Sequence, residues 1–343
     1  MRIIVDAFGG DNAPLAILQG AEEAKREYFC DIILCGDEDA IRDCAFKNGV
    51  NISGMEILHA PDVIPVEANP RKLQKEYRNS SLAVGLQALA EGKGDAFVSA
   101  GSTAAVVVGS NFFVKRIKGV KNVALATLLP SEYGPYMLLD CGAKIDCSPE
   151  TLHSFGVMGD LYMRKVRGLS NPRIGLANIG TEPNKGTKAQ VKAYKIMEKD
   201  TLNFVGNVEV RDIPSGEKAD VIVCDGYTGN IFLKTYEGAA LMLLGKVKEV
   251  YLQNIMTKLA VLPVKNGFKE LKETLDFNEY GGAPLMGISK PVIKAHGSSE
   301  AKTFKNAIRQ AIDYAESGVI ETIEEAVHEK KKHEADREEE EDV

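Results

Sequence analysis

The sequence predicts an α/β protein built on a doubly wound, mostly parallel sheet with helices on both faces. Two observations carry this prediction. Short apolar runs, such as Ile3–Val5 and Ile32–Cys35, recur along the chain and are bounded by glycine or aspartate, as buried strands are. Most runs then lead through a polar turn into a helical stretch, which is the repeating unit of a three-layer αβα fold.

The first half of the chain contains six predicted strands. Pro14 marks the first turn of a helix, where its missing N–H has no partner in any case. Ser80 and Ser81 have the position of helix caps. The predicted strands are 3–5, 32–35, 55–59, 95–100, 124–129 and 136–139, and the helices between them end at 28, 47, 91 and about 114.

The second half repeats the pattern and then departs from it. Strands are predicted at 173–179 and 219–224, each followed by a helix, and the segments 278–287 and 294–299 are predicted to be loops before a last helix over 299–327. We expect one α/β catalytic unit over 1–328. Within it, 239–276 is an amphipathic helical arm that contacts a partner subunit or a membrane, with buried core as the alternative.

Charge and composition exclude several classes of protein. Residues 321–343 contain eleven acidic and four basic side chains, which account for the whole net charge of −7, so 329–343 is predicted to be a charged, disordered tail. Tryptophan is absent and aromatic residues are few, which argues against nucleic-acid binding by stacking. The six cysteines lack metal-ligand spacing, and a cytosolic protein with reduced thiols and no metal is expected.

Polar and glycine residues follow at least five predicted strands. Ligands of open α/β sheets bind at strand carboxyl ends, and helix N-termini there attract anions. We therefore predict one composite anion site, although the aspartates after the first strand could instead satisfy turn amides. Its candidate binding residues are Asp6, Gly9, Gly10, Asp11, Ser80, Ser81, Gly101, Ser102, Thr103, Gly229, Asn230 and Ser298, and its candidate catalytic residues are Lys185, Arg211, Asp225, Lys234 and His296.

The motifs together resemble the bacterial phosphate acyltransferase family PlsX over residues 1 to about 328. Neither a P-loop, a dinucleotide fingerprint nor a hydrolase nucleophile elbow occurs in the sequence. The segments that carry the resemblance are D-A-F-G-G-D (6–11), R-N-S-S (78–81), S-A-G-S-T-A-A (99–105), L-L-D-C-G-A-K (138–144), N-I-G-T-E-P-N-K-G (178–186), G-N-V-E-V-R-D (206–212), D-G-Y-T-G-N (225–230), Y-G-G-A-P-L-M-G (280–287) and K-A-H-G-S-S (294–299).

This resemblance implies a fold like that of phosphotransacetylases and isocitrate dehydrogenases. It implies transfer of a long-chain acyl group from acyl carrier protein to inorganic phosphate, without a cofactor, and a homodimer peripherally associated with the inner face of the cell membrane. The membrane glycerol-3-phosphate acyltransferase is then an expected partner. Phosphate is placed among Ser102, Thr103, Lys185 and Arg211, with Lys234 and His296 near the oxyanion or the leaving thiolate.

Three other functions remain open at this stage. A short-chain phosphotransacetylase that uses acyl-CoA would have the same fold and chemistry. A nicotinamide-dependent decarboxylating dehydrogenase would have the fold but needs a clear array of metal-binding carboxylates. A non-catalytic membrane scaffold would use the arm at 239–276 alone. Since the carrier protein is acidic as a class, a basic docking patch is expected, with Arg71, Lys72, Lys75, Arg116 and Lys118 as candidates.

Overall fold

A computed structural model describes residues 1–65, 67–254, 256–257, 266–267 and 280–329 of the chain. Its eleven-stranded sheet has the order β3-β2-β1-β4-β11-β10-β5-β6-β9-β7-β8. The strands are β1 (Arg2–Asp6), β2 (Asp31–Gly36), β3 (Glu56–His59), β4 (Ala96–Ser99), β5 (Ala124–Leu129), β6 (Tyr136–Leu139), β7 (Ile174–Asn178), β8 (Phe204–Glu209), β9 (Val221–Val223), β10 (Gly282–Met286) and β11 (Val292–Ala295).

Helices cover both faces of this sheet. Alternate residues of β1 point to opposite faces, so Ile3 and Val5 join one core cluster and Ile4 joins the other, which confirms the predicted three layers. The helices are α1 (Leu15–Tyr28), α2 (Glu38–Asn48), α3 (Ser81–Ala90), α4 (Thr103–Gly109), α5 (Pro149–Lys165), α6 (Lys188–Met197), α7 (Gly226–Leu252), α8 (Ala301–Glu316) and α9 (319–329).

The sheet is mostly parallel, but its two halves run in opposite directions. Three successive antiparallel pairings, β11 with β10, β10 with β5, and β5 with β6, lie at its centre. Consequently β6, β9, β7 and β8 run opposite to β1, β4 and β11. The carboxyl ends of the two halves therefore face opposite edges of the sheet, and a shared site needs more than strand ends.

The predicted loop at 278–287 was wrong for 282–286, which form β10, and the predicted loop at 294–299 was wrong for Lys294 and Ala295, which end β11, whereas 296–299 form a loop as predicted. Strands β10 and β11 occupy the centre of the sheet between β4 and β5. The sequence indicated loops because of the glycines and Pro284 near the start of β10. In the structure these glycines mark close packing: a Cβ on Gly281 would come within 2.5 Å of the Asn306 carbonyl carbon, and one on Gly282 within 2.6 Å of Ile293.

Three smaller differences concern elements that were missed or divided. Helix α5 was not predicted, although Ser148 caps it by accepting from the Thr151 N–H. Edge strand β8, most of which lies in the motif at 206–212, was not among the predicted strands. The predicted last helix is divided at Ser317 and Gly318, where Gly318 adopts a φ of 65°.

Helix α7 runs without interruption from the end of β9 to Leu252. Its face towards the sheet packs Phe232, Leu233 and Tyr236 against the core. The predicted arm at 239–276 lies in part outside the described residues, and so does the predicted tail at 329–343, of which Glu329 is described as the last residue of α9. Among the residues that the structure describes, no helix is both long and apolar enough to cross a bilayer.

Candidate active site

Two adjoining cavities open beside the carboxyl ends of β1, β4 and β11. Cavity 1 has a volume of about 440 Å³ and cavity 2 of about 130 Å³. The first combines polar groups of the predicted anion site with an apolar wall that includes Phe8, Ile64 and Leu82. The wall that the two cavities share is formed by Thr103, Lys234, Lys294 and His296.

Asp6 joins the ends of β1 and β4 in the wall of cavity 1. Its buried carboxylate accepts a hydrogen bond of 2.6 Å from Ser99 Oγ, which in turn accepts from the Gly101 N–H at 3.0 Å. Burial raises the pKa of Asp6 above its ordinary value, although hydrogen bonds from Ser81 and Ser99 oppose the shift. The carboxylate therefore links the ends of β1 and β4 through a buried hydrogen bond.

Gly9 is required by this arrangement. A Cβ at this position would lie 2.6 Å from Asp6 Oδ2 and 2.7 Å from the Gly101 nitrogen, closer than any ordinary side-chain contact. At the next position Gly10 has a φ of 99°, and the following N–H, of Asp11, donates to the Gly297 carbonyl at 2.8 Å. The first polar turn thus contacts the loops after β4 and β11, so these three segments meet beside cavity 1.

The beginning of α4 forms the floor of cavity 1. Ser102 precedes the helix without a side-chain cap bond, and Ser102, Thr103 and Ala105 line the cavity. Unpaired N–H groups of a first helical turn and nearby hydroxyls are suited to binding the oxygens of an anion. Ser81 lines the same cavity, whereas the buried Ser80 caps α3 by accepting from the Ala83 N–H and lines neither cavity.

Helix α7 delivers Lys234 to the loop after β11. Its Nζ lies 3.1 Å from His296 Nε2 and 2.9 Å from Glu237 Oε2. Burial, followed by the charge of Lys234, lowers the pKa of His296 below its ordinary value, while Glu237 opposes the shift. Ser298 Oγ lies 2.8 Å from the other ring nitrogen and orients the imidazole without lining either cavity.

Lys294 is the functional candidate that was not among the predicted catalytic residues. It is 8% exposed and lines both cavities, and its Nζ donates to the Ala295 carbonyl. Burial, followed by the charge of Lys234, lowers its pKa to about 8, although Asp11 and Asp6 oppose the shift. A lysine within the apolar strand V-I-K-A, two residues before His296, was the available signal in the sequence.

The glycines of the D-G-Y-T-G-N stretch fit α7 against the loop that starts at Asp140. A Cβ on Gly229 would lie 1.9 Å from the Asp140 carbonyl oxygen, and one on Gly226 would lie 2.7 Å from its carboxylate. Asp225 caps α7, since its carboxylate accepts from both the Thr228 N–H and hydroxyl at 2.8 Å. Of the predicted residues in this stretch, Asn230 reaches a cavity wall, that of cavity 2.

Lys185 and Arg211 line neither cavity. They follow β7 and β8, whose carboxyl ends face the opposite edge of the sheet from those of β1 and β4. Lys185 Nζ lies 4.0 Å from Glu182 Oε1, and Arg211, with its side chain 81% exposed, pairs with Glu209 at 2.7 Å. The structure thus places these two residues outside both cavities, at the sheet edge where Asp225 follows β9, and their catalytic roles stay predictions.

Cys141 is the cysteine in the wall of cavity 2. Its thiol is buried, and burial raises its pKa far above the ordinary value of a cysteine. Because the thiolate is the reactive form, a thiol with so high a pKa is a poor nucleophile at neutral pH.

A third, open cavity of about 400 Å³ lies on the surface beside α3. It is lined by Gln74, Lys75, Arg78, Gln87, Phe112 and Phe113. The side chain of Phe112 is 45% exposed. We name these six residues the basic and aromatic groove. In sequence they come after residues 63–65, which line cavity 1.

Comparisons with known proteins bear on the family and the fold. A family model described as "Fatty acid synthesis protein" matches residues 1–322. The chain is similar to phosphate acyltransferases from Clostridioides difficile (42% identical, covering 94% of this chain and 95% of the relative) and Acetivibrio thermocellus (43% identical, with the same two shares). A crystal structure of a phosphotransacetylase from Streptococcus pyogenes superposes with a TM-score of 0.61 at 18% identity, over 92% of this chain and 94% of that one. That likeness concerns the fold alone, and it confirms the predicted phosphotransacetylase-like fold.

Proposed function

We propose a function from one premise: the chain belongs to the fatty acid synthesis protein family. Its relatives are named phosphate acyltransferases, and the chain is accordingly an acyltransferase. We infer that it transfers a long-chain acyl group from acyl carrier protein to inorganic phosphate. The products are an acyl phosphate, which serves the first acylation of glycerol 3-phosphate in phospholipid synthesis, and free carrier.

The shared wall of cavities 1 and 2 is the observation that carries this proposal. Two lysines, an imidazole and a threonine hydroxyl stand between a polar pocket and a pocket lined by Leu125, Leu128 and Leu233. Phosphorolysis of a thioester needs a bound dianion, a nearby carbonyl and donors for the developing oxyanion. Phosphate in cavity 1 would meet an acyl thioester carbonyl at this wall.

The reaction proceeds by direct attack of phosphate on the thioester. Ser102 and Thr103 hold the phosphate, and Lys234 and His296 stabilise the oxyanion. The raised pKa of Cys141 argues against an acyl-cysteine intermediate. Asp225, Lys185 and Arg211 remain proposed catalytic residues, with Asp225 acting through its cap of α7.

Thiol release from long-chain acyl carrier protein, measured with and without phosphate, tests the function. We expect release that depends on phosphate and yields acyl phosphate in equal amount. Lys185→Ala, run alongside, measures the contribution of the 178–186 loop. Acyl-enzyme detected before phosphate is added, as a burst of thiol, would contradict direct attack.

The second candidate is a short-chain phosphotransacetylase that uses acyl-CoA. Both functions fit the fold that the chain shares with a phosphotransacetylase, so activity measurements must separate them. Donors of equal chain length, carried either by coenzyme A or by the carrier protein, separate the two functions. A higher kcat/KM with the coenzyme A donor than with the carrier-protein donor of the same chain length, greatest for the acetyl group, would favour this second candidate.

The basic and aromatic groove is the surface that we propose for docking acyl carrier protein. Lys75 and Arg78 provide positive charge around the exposed ring of Phe112, and Arg71 and Lys72 lie in the short turn just before them. An acidic partner would be steered to such a patch and held by the apolar contact. Residues 63–65, which come shortly before the groove residues in sequence, line cavity 1, where the acyl thioester is required.

The exposed apolar face of α7 supports the remaining proposals. Leu241, Met242 and Leu243 are 70%, 65% and 56% exposed, which is unusual for consecutive apolar residues of one helix. We assign this face to a homodimer contact and to the inner surface of the cell membrane, with the protein otherwise cytoplasmic. The membrane glycerol-3-phosphate acyltransferase would then receive the product there. Sedimentation and vesicle binding of Leu241→Glu test both contacts, and neither should change if this face is unused.

A further inference from the structure

Lys294 holds a singular position among the described residues of the site. It lies in the central strand β11, paired with Ser99 of β4 on one side and Ala283 of β10 on the other. Burying a charged lysine this deeply in a sheet costs free energy unless the charge is paired or the amine loses its proton. Its side chain ends at the junction of the two cavities.

The charged groups around Lys294 come from three other segments. Asp6 ends β1 and Asp11 lies on the turn after it, Lys234 lies on α7, and His296 lies on the loop after β11. Within the described part of the chain, the Lys294 ammonium donates to the Ala295 carbonyl rather than to a carboxylate. Lys234, in contrast, is half exposed and paired with Glu237.

We propose that Lys294 is the general acid that protonates the thiol leaving group of the acyl donor. This inference rests on the proposed function. A phosphate oxygen forms a bond to the thioester carbonyl carbon, the C–S bond breaks with its electron pair going to sulfur, and a proton moves from Lys294 Nζ to that sulfur. The acyl phosphate releases the remaining phosphate proton to solvent, and solvent reprotonates the amine. In the reverse direction the neutral amine accepts the proton of the carrier thiol as it attacks the acyl phosphate.

The ammonium of Lys294 and the leaving thiol are similar in acidity. A general acid is most effective when its pKa lies near the working pH, and a proton moves most readily between groups of similar pKa. The pKa of Lys294, lowered to about 8, is near the value of about 8.5 for an ordinary thiol. An exposed lysine would hold its proton too tightly for this transfer.

Leaving groups of different acidity test the proposal. The donors are the long-chain acyl thioester of the carrier protein and the same acyl group on 4-nitrothiophenol, whose thiolate departs without a proton. Lys294→Met should reduce kcat/KM for the carrier thioester by about 10²- to 10³-fold but reduce it for the aryl thioester by less than about ten-fold. Equal losses with both donors would overturn the proposal.

Lys294→Arg and Lys294→Gln keep the test decisive if the methionine variant does not fold. Arginine retains the positive charge but cannot release its proton, so it should be as slow as Lys294→Gln with the carrier thioester and still cleave the aryl thioester. Wild-type activity of Lys294→Arg with the carrier thioester would also refute the acid role. If wild type itself shows no phosphate-dependent release from the carrier, the proposed function fails, whereas unequal losses in an active wild type concern Lys294 alone.

Discussion

Lys234 Nζ lies 3.1 Å from His296 Nε2, although the two residues are 62 positions apart and belong to opposite halves of the sheet. Helix α7 starts at the far edge, after β9, and runs back across the face of the sheet to bring Lys234 to the loop after β11. The oppositely directed halves thereby contribute to one site. The contact also predicts how each residue affects the other.

Removal of Lys234 should slow the reaction strongly. Lys234→Met deletes a donor at the shared cavity wall, and we expect kcat/KM for phosphorolysis to fall by about 10²- to 10³-fold. Lys246→Met is the matched control, because Lys246 lies on the same helix, is exposed and pairs with Glu249. Equal effects of the two substitutions would show that Lys234 has no special role.

The titration of His296 should report its charged neighbours. Burial and Lys234 disfavour the protonated imidazole, so its pKa in the folded protein should lie below that of an exposed histidine. Lys234→Met should raise the His296 pKa, and Glu237→Gln should lower it further. NMR titration of the ring measures these shifts, and the same direction in both variants would contradict the arrangement.

The pKa of Lys294 predicts a gain of stability when its charge is removed. Its folded-state pKa is depressed, so the unfolded chain binds the extra proton between about pH 8 and the ordinary lysine value. At pH 7 Lys294→Met should be more stable than wild type by about 1–3 kcal/mol, and the difference should shrink as pH rises above 8. Urea unfolding at pH 7 and 9.5 measures this, and a variant that is less stable at pH 7 would refute it.

Two glycines of α7 should respond oppositely to alanine. Gly229→Ala places a Cβ 1.9 Å from the Asp140 carbonyl oxygen, so α7 must move, with a loss of about 2–4 kcal/mol in the free energy of unfolding. Gly238→Ala meets nothing within 4 Å and should stabilise the helix by up to about 1 kcal/mol. Thermal unfolding compares them, and similar behaviour would mean that α7 does not pack closely on Asp140.

Charge reversal in the basic and aromatic groove should weaken binding of the carrier protein without affecting the chemical step. Lys75→Glu combined with Arg78→Glu should raise KM for long-chain acyl carrier protein about ten-fold at low salt while kcat is retained. Lys47→Glu, an exposed charge on α2, is the control. Turnover of a small acyl thioester without the carrier should be unchanged, and a parallel loss there would exclude a docking role.

Much of the fold could be predicted because its signals are local. The predicted helix over 15–28 coincides with α1, and the strand over 136–139 with β6, since apolar runs and caps are properties of neighbouring residues. Strand β10 could not be predicted, because Gly282 and Pro284 are typical of turns. Strand β11 was missed although V-I-K-A is apolar apart from its lysine, and the burial of both strands depends on strands more than 150 positions away in sequence.

The segments that form the site were predicted, but not which of the predicted segments lie together. The turns after β1, β4 and β11 meet as expected, because their strands are neighbours and parallel. Lys185 and Arg211 lie elsewhere because the pairing through β10 and β5 reverses the second half of the sheet. Strand direction is a relation between distant segments, and no residue pattern within β7 or β8 indicates it.

The sequence by itself determined the family, the layered α/β class and the residue types from which an anion site is built. Motifs and periodicity depend only on residues that are close together in the sequence. The tertiary structure decided which of those residues face one another. It placed Lys234 beside His296, assigned Gly229 to packing and Asp225 to a helix cap, and buried Lys294 between two cavities. Burial and charge proximity arise when the strands pair, and they set the pKa values on which the chemistry depends.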